Sequence, residues 1–397
     1  MQSGTSFSSR EFFYFTPPLS LDNPSESQAY LTRRIVLSIV GAIVTLAYLT
    51  VVSFTDARDP FISIAGASGN IYISFLIFAF ALQIALSLLK SPLEFYSDFL
   101  LEHRYDLSNQ KFLTWLFRKL KAMLVGWIFL VVILTAFYFL LVNFPGTWWL
   151  MFAGFFFLFQ ILVAQLFPTL ILPLFYKLKP LDNEPLNSRL RSLVEKFGYK
   201  MSGVYSFDLS RETKKANAAL TGLGRSRKII ISDTLLGNFS DDEIEVVLAH
   251  ELGHLVKHHM MKGILVSAVV SLLGFSIMAH IYSGYASRLG LPLQSLAAIP
   301  FLALIVAIFG MLAMPLGNLY SRRTEHEADT FAISETGMRN VFADSMRKLG
   351  RLNLTPENPP AWMEKIFFSH PSIGARIRFA LGTDEKPHGT GVGEVGT

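Results

Sequence analysis

Six stretches of this chain are long and apolar enough to cross a bilayer: roughly 35–54, 71–90, 122–142, 147–167, 263–283 and 295–318. A hydrocarbon core about 30 Å thick takes about 20 residues at the helical rise of about 1.5 Å. Backbone N–H and C=O groups find no water there, so each run must satisfy its own as a helix. The six runs therefore predict six transmembrane α-helices and make the lipid bilayer the first partner. Composition agrees: 51% of the 397 residues are hydrophobic and 16% are charged, against about 25% charged in ordinary soluble domains. Pro168 and Pro173, in PTLILPLFY, are expected to kink or end the fourth run. The polar stretch before the first run shows no cleavage-site pattern, so that run reads as an anchor and not as a removed signal peptide.

Charge asymmetry orients these helices. Arg33 and Arg34 precede the first run, and the loop 91–121 carries Arg104, Lys111, Arg118, Lys119 and Lys121. The loops on the other side hold only Arg58 and Arg288. The positive-inside rule then puts both termini, the loop 91–121 and the polar regions 177–262 and 319–382 in the cytoplasm. The net charge of +5 needs no nucleic acid to explain it, and no basic motif interleaved with stacking aromatics is present. The sequence says nothing about oligomeric state.

The implied organisation is an N-terminal cytoplasmic segment 1–34 and four spans within 35–176. The first part of a soluble domain at 177–262 follows, then two spans within 263–318, its second part at 319–382, and a disordered tail 383–397. Each soluble part is short for a stable core, so the two are expected to fold together. NSRLRSLVEKFG has helical periodicity ending at Gly198, and GVYSFDLS is strand-like. NAALTGLGRSRKIIISDTLL gives two short strands around a turn at 222–226. Gly222 and Gly224 belong to that turn; the rest of a nucleotide loop is missing.

The chemistry sits in SDDEIEVVLAHELGHLVKHH. Ser240 and Glu243 form a capping box, and Ile244, Val247 and Leu248 form an apolar face. His250 and His254, spaced i and i+4, share one face of this helix and can bind one Zn²⁺. Glu251 between them is set to act as general base on a metal-activated water. With no cysteine in the chain, any metal must be held by His, Asp or Glu.

A catalytic zinc needs a third protein ligand. A histidine ten residues after His250 is excluded, because Met260 stands there. His258 on the same helix would lie about 12 Å from His250. His258 and His259 are expected to face the helix end and the membrane surface. SRRTEHEADTFAIS offers a carboxylate instead. Glu325 and Asp329 share one face at i, i+4, Glu325 as ligand and Asp329 as acceptor for the free N–H of a ligand histidine. Glu327, on another face, is the rival ligand.

HELGH followed by two spans and SRRTEHEAD resembles the M48 family of membrane zinc metalloproteases, and HPSIGARI at 370–377 is similar to that family's C-terminal motif. DFLLEHRYDLSNQ and KKANAALTGLGRSRKIIISDTLL resemble the type 1 CAAX prenyl protease branch in particular. The resemblance implies a mainly α integral membrane protein, with about six transmembrane helices and a cytoplasmic α+β zincin-like (gluzincin) protease domain. It implies one Zn²⁺ on His250, His254 and Glu325, with Glu251 as catalytic base and Asp329 behind the ligands. Asn217 and its neighbours would line a substrate groove. His370 and Arg376 would stabilise the scissile carbonyl or a nearby substrate charge. The expected substrate is a peptide or protein, prenylated or otherwise hydrophobic at its C-terminus, and the expected location is a bacterial inner membrane or the endoplasmic reticulum membrane. Relatives of the eukaryotic type have seven spans around an intramembrane chamber, against six runs here.

Two other readings compete. An HtpX-like quality-control protease would share the zinc chemistry but is not expected to carry LEHRYDLSNQ. A transporter or scaffold with a decayed site is disfavoured, because the ligand set is complete and no charges in the spans mark an ion path.

Overall fold

A computed structural model describes residues 24–222 and 227–383. The expected tail and most of the segment before the first span lie outside the described residues, as does Gly224. Six helices are long and apolar enough to cross a membrane: Ser25–Phe54, Ile71–Arg104, Phe112–Asn143, Trp148–Phe175, His259–Arg288 and Ile299–Thr336. Each contains most of one predicted run, and the protein is a multi-pass membrane protein. Only 11–22% of the residues in their apolar windows are buried inside the protein, so most of that apolar surface is not covered by the rest of the chain.

The fourth span loses its α-helical register where its prolines fall. The α-helix Trp148–Leu166 gives way to a π-helical turn over Phe167–Ile171 and then a short helix Leu172–Phe175. A proline has no N–H and its ring crowds the preceding turn, and the wider turn absorbs both. The sixth span behaves differently. Its helix passes Pro315 and continues without a break to Thr336, 38 residues in all, so the segment after the apolar run is an extension of the same rod.

The polar region carries a four-stranded sheet in the order β1-β2-β4-β3. β1 is Leu178–Pro180, β2 Gly203–Phe207, β3 Ala218–Thr221 and β4 Lys228–Ser232. β2 and β4 run parallel, while β3 pairs antiparallel with β4 and forms one edge of the sheet. The motif helix, Asp241–Val256, packs beside this sheet. Its cap is the expected box: Glu243 N–H donates to Ser240 Oγ at 3.3 Å, and Ser240 N–H donates to Glu243 Oε2 at 2.7 Å. One core unites both polar regions. Ile229, Ile231, Ile244, Leu248 and Leu252 from the first pack with Phe331, Ala332, Phe342, Met346 and Ile377 from the second.

DFLLEHRYDLSNQ is the clamp between the early spans and this domain. Lys214 N–H donates to Leu107 O at 3.0 Å and Asn109 N–H to Glu212 O at 2.9 Å. Buried Glu102 accepts from Tyr30 of the first span at 2.5 Å and from Lys215 at 2.9 Å. Lys215 stands just before β3, so this polar knot fixes the entry to the edge strand.

Candidate metal centre and active site

The two helices that would supply ligands meet at a glycine. A Cβ on Gly253 would lie 3.0 Å from Ala328 Cα and 3.2 Å from Ala328 O. Only a residue without a side chain lets the motif helix approach the extended sixth helix this closely. The contact sets Glu325, one turn from Ala328, opposite His250 and His254.

His250, His254 and Glu325 each offer one ligand atom, and these atoms lie within 4.8 Å of one another. His250 Nε2 is 3.2 Å from His254 Nε2 and 3.2 Å from Glu325 Oε2, and His254 Nε2 is 3.3 Å from Glu325 Oε1. His250 Nδ1 is 2.7 Å from Asp329 Oδ1. A neutral imidazole has one N–H; with it donated to Asp329, Nε2 presents a lone pair toward the Glu325 carboxylate. Glu325 Oε2 is buried and has no hydrogen-bond donor. Converging acceptors, one of them an orphaned buried carboxylate oxygen, are costly unless a cation joins them. The donor set of two imidazoles and a carboxylate, with one side open, fits a catalytic metal.

Glu327 does not join the cluster. Its Oε2 is 3.1 Å from His259 Nε2, and its side chain is 50% exposed. His259 departs from the expectation that placed it at the membrane surface. It is buried at 6% exposure, with Nδ1 3.0 Å from His254 Nδ1. The reason is that the motif helix stops at Val256 and the chain turns at His258 before the fifth span begins at His259.

Glu251 is partly buried. Burial pushes its carboxyl above the ordinary value, against the pull of His250 and His254. Burial alone would lower the pKa of His250, but the Asp329 and Glu325 carboxylates outweigh it and push it up to about 9 without a metal; a cation on Nε2 would take the place of that proton and leave the neutral imidazole.

His370 reaches the open side, with Nε2 3.4 Å from Glu325 Oε1 and a side chain 59% exposed. Arg376 does not. The expectation put it against substrate, yet it is 8% exposed and its Nε and Nη2 donate to Asp329 at 2.9 and 2.6 Å. A buried guanidinium needs a fixed anion, and Asp329, at 1% exposure, supplies it. Asn217 is exposed and immediately precedes β3; its backbone is held by Ser232, at 3.0 Å to the hydroxyl and 2.9 Å between Ser232 N–H and Asn217 O.

An HExxH helix at the mouth of one membrane helix, its histidines converging with a glutamate from the extension of another on a group that could hold a metal, defines a membrane-embedded metallopeptidase. Residues 180–384 match the profile of "Peptidase family M48", and residues 14–177 match "CAAX prenyl protease N-terminal, five membrane helices". The chain belongs to peptidase family M48 and is a membrane metalloprotease of the CAAX prenyl protease type. Within 14–177 the described residues hold four candidate spans, against the five of that description. The chain is 28% identical over 315 residues to "Uncharacterized metalloprotease YhfN" of Bacillus subtilis, covering 78% of this chain and 74% of that one. It is also 28% identical to "CAAX prenyl protease 1" of Saccharomyces cerevisiae, over 73% of this chain and 68% of the other. The crystal structure of Ste24p from S. mikatae superposes with a TM-score of 0.80 at 25% identity, covering 93% of this chain and 92% of that one.

Proposed function

We propose that the protein is a zinc endopeptidase that cuts prenylated or otherwise hydrophobic C-terminal peptides at the cytoplasmic face of its membrane. The observation that carries this reading is the seat of the ligand cluster. The motif helix runs within two residues into the fifth span, and Glu325 rides on the helix of the sixth. A centre held there suits a scissile bond close to a lipid-anchored residue.

His250, His254 and Glu325 would hold the zinc, which when bound polarises the scissile carbonyl and lowers the pKa of the attacking water. Glu251 takes the water's proton and delivers it to the leaving amine nitrogen. Its raised proton affinity suits both steps. His370, on the open side, donates to the carbonyl oxygen as charge develops on it. Asp329 holds the His250 ring by accepting its Nδ1–H, and Arg376 fixes Asp329. Asn217 and the exposed edge of β3 offer a strand on which an extended peptide pairs. The spans supply the apolar contact for the lipid, worth about 0.8 kcal/mol per buried CH₂.

The substrate is tested with one peptide made with and without a farnesyl group. The lipidated form is expected to have a much higher kcat/KM. Equal values would move the assignment to general quality control of membrane proteins, with the zinc chemistry intact. Orientation is tested with Lys111→Cys, at an exposed position of a chain with no natural cysteine. A membrane-impermeant maleimide should label it only from the cytoplasmic side; labelling of sealed cells from outside would reverse the topology.

A further inference from the structure

The motif helix ends in a backbone conformation that residues with a Cβ rarely adopt. His258 has φ 56° and ψ 33°, the left-handed region, with no glycine to ease it. The effect is to redirect the chain. His259 opens the next helix and lies back against His254, the ring centroids 5.1 Å apart.

The hydrogen positions follow from the chemistry of the ligand. His254 Nε2 faces Glu325 and His250, so its lone pair belongs to the metal and its N–H sits on Nδ1. The partner 3.0 Å from that Nδ1 is His259 Nδ1, which must accept. The proton of His259 is then on Nε2, and the atom 3.1 Å from it is Glu327 Oε2, an acceptor. Every proton in the series has a place. His250 receives the same service from Asp329, 2.7 Å from its own Nδ1.

Resting on the metal-site reading above, we propose that His259, with its tautomer set by Glu327, is a positioning residue for the metal ligand His254. It accepts the His254 Nδ1–H, fixes the ring plane and makes Nε2 a stronger donor to the metal. The two ligand histidines are thus supported by different devices. Asp329 with Arg376 holds His250 from inside the domain. His259 is the first residue of the fifth span's helix and Glu327 lies on the sixth helix, so this pair ties His254 to the membrane helices. His259 is not itself a third histidine ligand, because it meets the ring of His254 on the side away from the cluster.

The test is equilibrium competition for zinc between the full-length purified protein and a chromogenic chelator. His259→Phe, which keeps an aromatic ring and loses the acceptor, should bind zinc about 10- to 100-fold more weakly than the parent. His259→Asn should recover most of that loss, because its side-chain oxygen can accept the same proton. Glu327→Ala should still fill with zinc at saturation, with a smaller loss of affinity. Parent affinity in His259→Phe overturns the proposal. Equal losses in His259→Phe and His259→Asn overturn it too, because packing and not the accepted hydrogen bond would then be responsible. If His259→Phe fails to fold, Glu327→Ala decides: its carboxylate is 50% exposed and outside the core, and unchanged affinity there refutes the arrangement. A parent protein that binds no zinc would bring down the metal-site reading itself, which separates the two failures.

Discussion

Glu251→Ala is expected to remove peptide hydrolysis while leaving the metal content of the protein at the parent level. Glu251 lies between His250 and His254 in the helix, and its carboxylate is not among the three converging ligand atoms. Removing it takes away the group that accepts the water's proton and returns it to the leaving nitrogen. General acid–base groups contribute roughly 100- to 10,000-fold each, and Glu251 serves in both directions. The loss should therefore approach the top of that range or pass it. Metal analysis and a peptide cleavage assay on one preparation check both halves. Loss of metal along with activity would make Glu251 a ligand and sink the assignment. His370→Ala is the internal control. A donor to the developing oxyanion is worth about 100- to 1000-fold, so this variant should retain slow, measurable turnover where Glu251→Ala has none.

Much of this arrangement can be read in the sequence, for reasons that differ by element. The spans are legible because the bilayer imposes a length and a composition on every segment that crosses it. His250 and His254 are legible because i, i+4 spacing puts them on one helical face. The rest depends on contacts between distant segments. That Pro315 would not end the sixth helix has no local signal; the freed carbonyl can be tolerated in a transmembrane helix, where its neighbours decide the outcome. His258 in the left-handed region is nearly as silent: histidine enters that region more often than most residues with a Cβ, but still too rarely for one histidine to mark the turn. With that turn unseen, a helix running on through His259 sends this side chain to the membrane surface instead of back to His254. Arg376 shows the same limit. HPSIGARI places it near the site in kind, yet only the packing of Ile377 and Phe331 into one core brings it to Asp329, 47 residues away in sequence. Gly253 could have been read as a close-approach glycine, but its partner, Ala328, appears only once the two helices are seen to cross.

Glu325→Ala should abolish tight metal binding, and with it activity, whereas Glu327→Ala should not. Both glutamates lie on the same helix two residues apart, so any general effect of lost charge or altered helix propensity is shared. What separates them is direction. Glu325 is 5% exposed and its Oε2 faces His250 with no donor of its own, while Glu327 looks outward to His259. Removing the Glu325 carboxylate leaves two imidazoles to hold the ion, one ligand short of the three protein ligands that catalytic zinc sites use. It also leaves Asp329 and Arg376 holding His250 for a site that can no longer close. Asp329→Ala should fall between the two, weakening affinity by roughly 10- to 100-fold as the ring of His250 loses its acceptor. It carries a second cost, because Arg376 would be left buried beside His250 without the carboxylate it hydrogen-bonds, so Asp329→Asn is the better probe of the hydrogen bond alone. Chelator competition across the four variants checks the order. If Glu327→Ala empties the site and Glu325→Ala keeps its zinc, the close crossing at Gly253 does not present the third ligand, and the metal centre must be built on the other face of the sixth helix.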